Sequence, residues 1–212
     1  MTATVSDNAK DIIEIMQVII QERQARDRGW WEELPRFYHP EAQIQTSWFS
    51  GPVSEYIERS VSMAVTDPAY HRLGQPAIRV NGHRAVADVP MTIEFRGQIA
   101  GVEADLTVYI RLLNRIERRE GQWRLLASTA IFERDTMAPA VPGASLRLEA
   151  DALTGFRPSY RLLSLWLTEH GHRVGADRHG LDRPGEVDVL YQQAFAWAGL
   201  EPSRERVPGT LT

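Results

Sequence analysis

The chain has no cysteine among its 212 residues. That absence excludes disulfides, thiolate nucleophiles, thiolate zinc sites and iron–sulfur clusters together. Cationic surplus is missing as well: 24 lysines and arginines stand against 28 aspartates and glutamates, a net charge of −4. Nucleic-acid affinity comes from clustered cations on phosphate, so no nucleic-acid partner is expected. Nor is there a long apolar run. The stretch from Asp11 to Ile20 is interrupted by Glu14 and Gln17 and is far too short to span a bilayer. The first residues, Met-Thr-Ala-Thr-Val-Ser-Asp, lack the basic start and apolar core of a signal peptide. A cytoplasmic location without membrane contact is the expectation. A glycine-rich loop between strand and helix is lacking, and so is Gly-x-Ser-x-Gly, which leaves phosphate cradling and the serine-hydrolase elbow without support.

What remains is the composition of a globule, 43% hydrophobic and 25% charged, with enough apolar matter for one large domain or a domain with an appendage. The first helix is the clearest element. At about 100° per residue, Ile13, Met16 and Ile20 fall within roughly 40° of one line, with Ile12 and Ile19 beside it. Ser6 or Asp7 reads as its cap and Gly29 as its end. Trp30 to Tyr38 reads as a second short helix broken at Pro40, Gln43 to Trp48 as a strand, and Pro52 to Val65 as a helix. Beyond Pro68 the period changes from 3.6 to 2. Ala77 to Val80 ends at the hairpin signal Asn81-Gly82. Ala85, Ala87, Val89, Met91, Ile93 and Phe95 then share one face, and Arg96-Gly97 reads as a turn. A strand from Ala104 to Glu117 carries Leu106, Val108, Ile110 and Leu112 on one face, and Glu120-Gly121 opens a hairpin into Trp123 to Asp135. Helices followed by long antiparallel strands make an α+β arrangement. Met137 to Gly143 has a linker's composition, Tyr160 to Leu167 and Val187 to Trp197 read as helices, and Gly171 to Pro184 as a loop. The expected division is a domain over 1–137, a linker over 138–156 and a helical extension over 157–212, packed on the domain or on a neighbouring subunit.

Asp27 is the most informative residue. It falls only about 20° from Met16 and Ile20 on the helical wheel and so prolongs the apolar stripe. A carboxylate aimed inward must be hydrogen-bonded, paired or facing a cavity. The alternatives are an exposed helix-terminal carboxylate or a pair with Arg23. A histidine is its natural functional partner, since a carboxylate fixes an imidazole's tautomer, and His71 opens the first strand of the meander. His170, His172, Asp177 and His179 share one segment that reads either as exposed loop histidines or as a metal cluster, and His39 and His83 read as surface turn residues.

The order and spacing of several short motifs resemble the nuclear transport factor 2-like superfamily, in its SnoaL-like branch. They are Asp27-Arg-Gly-Trp-Trp31, Phe37-Tyr-His-Pro-Glu-Ala42, Gly51-Pro52, Tyr70-His-Arg-Leu-Gly-Gln-Pro76, Val80-Asn-Gly-His-Arg-Ala-Val-Ala-Asp88, Gly121-Gln-Trp-Arg124 and Phe132-Glu-Arg-Asp135. The resemblance covers residues from about 8 to 137. It implies a cone-shaped α+β barrel, a curved antiparallel sheet wrapped by N-terminal helices. In the dehydratases and dehydrochlorinases of that superfamily an Asp at the end of the first helix and a His at the start of the first long strand form a catalytic dyad. Asp27 and His71 match those positions. The resemblance thus implies elimination without metal or organic cofactor, His71 acting as base and Asp27 orienting it. The dehydratases' second pocket histidine has no equivalent in Asp88-Val-Pro-Met-Thr92, and their asparagine maps near Tyr109, which becomes the candidate acid.

An apolar cone suits an aromatic or polycyclic ligand, and Trp31, Tyr38, Trp48, Phe49 and Tyr56 are candidates to line it. The expected partner is therefore a hydrophobic hydroxylated small molecule. The expected activity is a lyase, dehydratase-like or carbon–carbon cleaving. An isomerase or cyclase using the same pair, or a ligand-binding domain without catalysis, stands beside it. The Ala85–Phe95 and Leu106–Leu112 faces are expected not to fit inside one cone together, which predicts a homodimer or homotrimer.

Overall fold

A computed structural model gives the structure of the protein for residues 8–201. Helix α1 spans Ala9–Arg28 and ends, as its sequence directs, at Gly29 in the left-handed region, φ 69°. Asn8 stands at its N-cap, and the expected caps Ser6 and Asp7 lie outside the described residues. A turn and a short 3₁₀ segment, Leu34–Phe37, replace the expected second helix and lead into β1, Tyr38–Gln45. Pro40 does not break the chain. It lies within β1, where the pairing with a later strand shifts register between Tyr38 and Gln43, and a proline is tolerated at such an irregularity. Short β2 (Ser50–Pro52) then feeds α2 (Val53–Thr66).

The rest of the domain is one meander: β3 (Ala69–Leu73), β4 (Ala77–Asn81), β5 (Arg84–Ile99), β6 (Val102–Arg119) and β7 (Gln122–Pro139). The sheet order is β2-β1-β7-β6-β5-β3, with β4 also on β5, and it is curved but unclosed. All pairs along this path are antiparallel except β1 with β7. The turns at Ala100-Gly101 and Glu120-Gly121 hold both residues at positive φ, 50° and 75°, then 52° and 77°. That is the twist a two-residue hairpin needs.

Arg96-Gly97 is not a turn. Strand β5 continues through it, clamped by the cross-strand pair of Arg96 Nε with Asp105 Oδ1 at 2.6 Å. Gly97 serves a close approach instead, because a Cβ there would lie 3.2 Å from the Trp166 ring. Strand β7 likewise reaches Pro139, two residues beyond Met137, where linker composition begins.

The extension folds onto the same domain. A 3₁₀ turn at Pro158–Tyr160 leads into α3 (Arg161–Glu169), and α4 runs over Pro184–Trp197. The segment between them, read as loop, contains a two-residue strand β8, His179–Gly180, which pairs in parallel with Ile131 and Phe132 of β7. Helix α3 roofs the concave side, with Trp166 5.9 Å from Phe95 and Tyr160 4.9 Å from Phe132 between ring centroids. Helix α4 covers the convex side, where Val86, Leu113 and Ile131 form a second core with Val187, Ala194 and Phe195.

The two strand faces expected to compete for the interior in fact share it. Val89 pairs with Leu112, Met91 with Ile110 and Phe95 with Leu106, so both sets point to the same concave side and are buried there. Those faces therefore give no reason for a homodimer or homotrimer. Among the described residues no helix is long and apolar enough to cross a membrane.

Candidate functional site

The buried side of α1 is not the stripe that hydrophobicity picks out. Ile13 and Ile20 are exposed, whereas Ile15, Ile19, Glu22, Arg23, Ala25 and Arg26 are buried. Two turns of the inward row are thus charged, and Arg23 and Arg26 there border a cavity. The apolar line through Met16 and Ile20 borders a groove outside α1, which also reaches Asp27 and His71.

Asp27 and His71 meet. The ring Nδ1 of His71 lies 2.6 Å from Asp27 Oδ1, and the His71 backbone N–H donates to Oδ2 at 2.9 Å. One carboxylate therefore fixes both the ring and the strand that carries it, and with Nδ1 protonated the tautomer leaves a lone pair on Nε2. Among the described residues Nε2 has no hydrogen-bond partner. Burial, then the nearby Arg23 guanidinium, pushes the His71 ring down to about 3, against the opposing pull of Asp27. Burial alone would raise the Asp27 carboxyl, but the hydrogen bonds from His71 prevail and hold it below its ordinary value. The resting pair is carboxylate and neutral imidazole, which is the form a general base needs.

These directions fix the pH response of folding. In the unfolded chain a histidine takes up its proton near pH 6.5, whereas the folded site refuses it until about 3. The site's stability is complete above pH 6.5 and is lost progressively as pH falls below it, by roughly 3 kcal/mol between pH 7 and 4. The depressed Asp27 adds a loss of the same sign at lower pH. Unfolding free energies measured from pH 7 to 4 should fall more steeply for wild type than for His71→Gln, and parallel slopes would contradict this assignment.

The cavity beside His71 is lined by Arg23, Arg26, Tyr38, Trp48 and Tyr56 at its polar end and by Met91, Ile93, Phe95, Ile110 and Phe132 along the sheet. Its free volume is about 40 Å³, room for a few waters at about 10–15 Å³ each. A ring-sized ligand enters only if a wall moves. Trp48, partly exposed and stacked on Tyr56 with centroids 5.7 Å apart, is one such wall residue.

Tyr38, Trp48 and Tyr56 thus sit where the sequence suggests. Phe49 is one layer back, against Trp48 and Tyr56, and Trp31 packs on the core and beside Gly29 without lining the cavity. Tyr109 is on the wrong side of the sheet. Ile110 faces the cavity, so its neighbour points outward, and there the Arg134 guanidinium covers the Tyr109 ring at 3.7 Å. It is not placed to act on anything inside. His39, read as a surface residue, is buried in β1 with Nε2 3.0 Å from the Glu117 carbonyl oxygen. His83 is exposed in its turn. The loop histidines do not converge on one point with Asp177: His172 Nε2 is 2.8 Å and His170 Nε2 3.7 Å from the buried Asp67 carboxylate at the end of α2, which ties the extension to the domain. Asp177 instead lies 3.4 Å from Arg178.

Sequence reasoning misses Glu22 and Arg26, and takes Arg23 only as an alternative partner for Asp27. Tyr38 donates its hydroxyl to Glu22 Oε1 at 2.6 Å, Glu22 Oε2 lies 3.2 Å from Arg23 Nη2, and Arg26 Nε donates to the Tyr56 hydroxyl at 3.1 Å. Their signal was the spacing from Ile15 and Ile19, which continues through 22, 23 and 26 along one helical row.

Residues 7–129 match the model of the SnoaL-like domain. Over 212 aligned residues the chain is 29% identical to pea pathogenicity protein 2 of Fusarium vanettenii, covering 92% of this chain and 91% of that protein. Among solved structures, a provisionally assigned scytalone dehydratase from Novosphingobium aromaticivorans superposes with a TM-score of 0.53 at 14% identity, over 69% of this chain and all of that one. A type 2 hexachlorocyclohexane dehydrochlorinase gives 0.53 at 12% identity, over 66% of this chain and 100% of the other. At such identities these two structures establish a shared architecture, the nuclear transport factor 2-like fold. The family match extends over more than half of the sequence, and the protein belongs to the SnoaL-like domain family.

Proposed function

We propose that the protein is a cofactor-independent lyase, eliminating water or cleaving a carbon–carbon bond in a hydrophobic hydroxylated small molecule. The observation that carries this reading is the Asp27–His71 contact at 2.6 Å beside a cavity with an apolar sheet wall and a polar end. Asp27 spends both carboxylate oxygens on His71, which orients the imidazole, and Nε2 is left to take a proton from carbon. The dehydratase and dehydrochlorinase that share the fold are named for eliminations, which is consistent with such chemistry.

One feature favours a second reading. With Tyr109 on the far side of the sheet, the dyad has no separate acid where the sequence put one. A single base that removes a proton and returns it elsewhere on the same carbon skeleton is the chemistry of an isomerase or cyclase. A metabolite retained in a native mass spectrum of the purified protein supplies the substrate for the deciding experiment. Its product should be lighter by water or a fragment if the protein is a lyase. Unchanged mass makes it an isomerase or cyclase, and a ligand bound but never converted makes it a binding protein.

A further inference from the structure

The dyad accounts for Asp27 and His71 but not for Arg23. This side chain lies one helical turn before Asp27, is 8% exposed, and borders both the cavity and the outer groove next to His71. Among the described residues its only salt-bridge partner is Glu22, through Nη2, and that carboxylate is shared with the Tyr38 hydroxyl. Among the described residues Arg23 Nε is buried without a hydrogen-bond partner, and so is Thr46 Oγ1 on the same cavity wall. A buried guanidinium N–H with nothing to donate to is costly unless a ligand oxygen completes it. Arg26 is differently placed, since it is held by the Tyr56 hydroxyl and lies 3.8 Å from Asp27.

We propose that Arg23 binds the substrate oxygen on which negative charge develops, so that the substrate is a carbonyl compound with a hydroxyl on the β-carbon. This deepens the lyase reading and rests on it. His71 Nε2 takes the proton from the carbon next to the carbonyl, and the C–H electron pair moves onto the carbonyl oxygen as an enolate facing Arg23. The enolate then re-forms its carbonyl, a carbon–carbon double bond forms, and the bond to the β-hydroxyl breaks. The departing hydroxide takes the proton held on His71 and leaves as water. Arg23 and Asp27 end as they began, with no oxidant or reductant consumed. Such an oxygen site is preorganised charge stabilisation of the kind that contributes most to enolate chemistry.

The test uses 4-nitrophenol, whose phenolate mimics an enolate and absorbs in the visible where the phenol does not. Titrated into the full-length protein at a pH where the free probe is mostly protonated, it should be taken up as phenolate. Arg23→Met should weaken that uptake by about tenfold or more and remove the visible band, while Arg23→Lys should keep part of it. Binding as the neutral phenol, no uptake by wild type, or an unchanged band in Arg23→Met would each overturn the proposal. If Arg23→Met does not fold, wild type and Arg23→Lys decide. His71→Ala retains Arg23 and should still capture phenolate. Capture without turnover in any form of the protein therefore refutes the lyase reading alone, and His71-dependent turnover without capture refutes the Arg23 site alone.

Discussion

Replacing His71 by alanine is expected to lower turnover by about 10²–10⁴-fold, the contribution of a positioned general base. The loss should fall on kcat more than on KM, because Nε2 acts on a bond that breaks only in the transition state. Asp27→Asn should share much of it. A carboxylate offers acceptors to the ring Nδ1–H and to the His71 backbone N–H at once, whereas an amide offers one acceptor and one donor. Steady-state rates on the substrate recovered by mass spectrometry provide the check. If both variants turn over as wild type does, the two residues hold the strand to the helix and nothing more.

The second large effect concerns the roof. Trp166 is 2% exposed, seated on Phe95, stacked on His170 at 4.8 Å and pressed against Gly97. Trp166→Ala should cost about 3–5 kcal/mol, as truncation of a large buried aromatic does. Denaturant unfolding followed by far-ultraviolet circular dichroism measures it. A single transition displaced by that amount means that the extension and the domain unfold as one unit. An unshifted main transition, preceded by a separate early one, would mean instead that α3 detaches by itself.

How much of this was legible depends on whether the governing contact is local. Gly29, Gly82 and Gly121 mark ends and turns because their backbones need positive φ, and that requirement shows in sequence. Asp27 and His71 were legible for another reason: a carboxylate on an apolar stripe is anomalous, and the family resemblance supplied the position of its partner. Gly97 carries the same letter as the turn glycines, but its cause lies 69 residues away in Trp166, which no local pattern encodes. Tyr109 shows how little error is allowed in a strand. One residue of register decides which side of the sheet a side chain occupies. Glu22, Arg23 and Arg26 carry no comparable signal, because three charges in a row of helix usually face water. Whether the two faces of β5 and β6 compete for the interior or share it depends on a pairing register that no local pattern encodes.

Helix α4 has a consequence for how this molecule meets its own kind. It seats Phe195 and Ala194 on Val86 and Leu113, and Arg84 ties the Trp197 carbonyl to the same convex side. A second copy approaching from there encounters a helix's solvated back rather than bare β-structure. Shortening the gene so that translation stops ahead of α4 would strip that cladding and leave an oily plateau facing water. Such a truncated product is expected to clump, although every residue of the dyad would still be present.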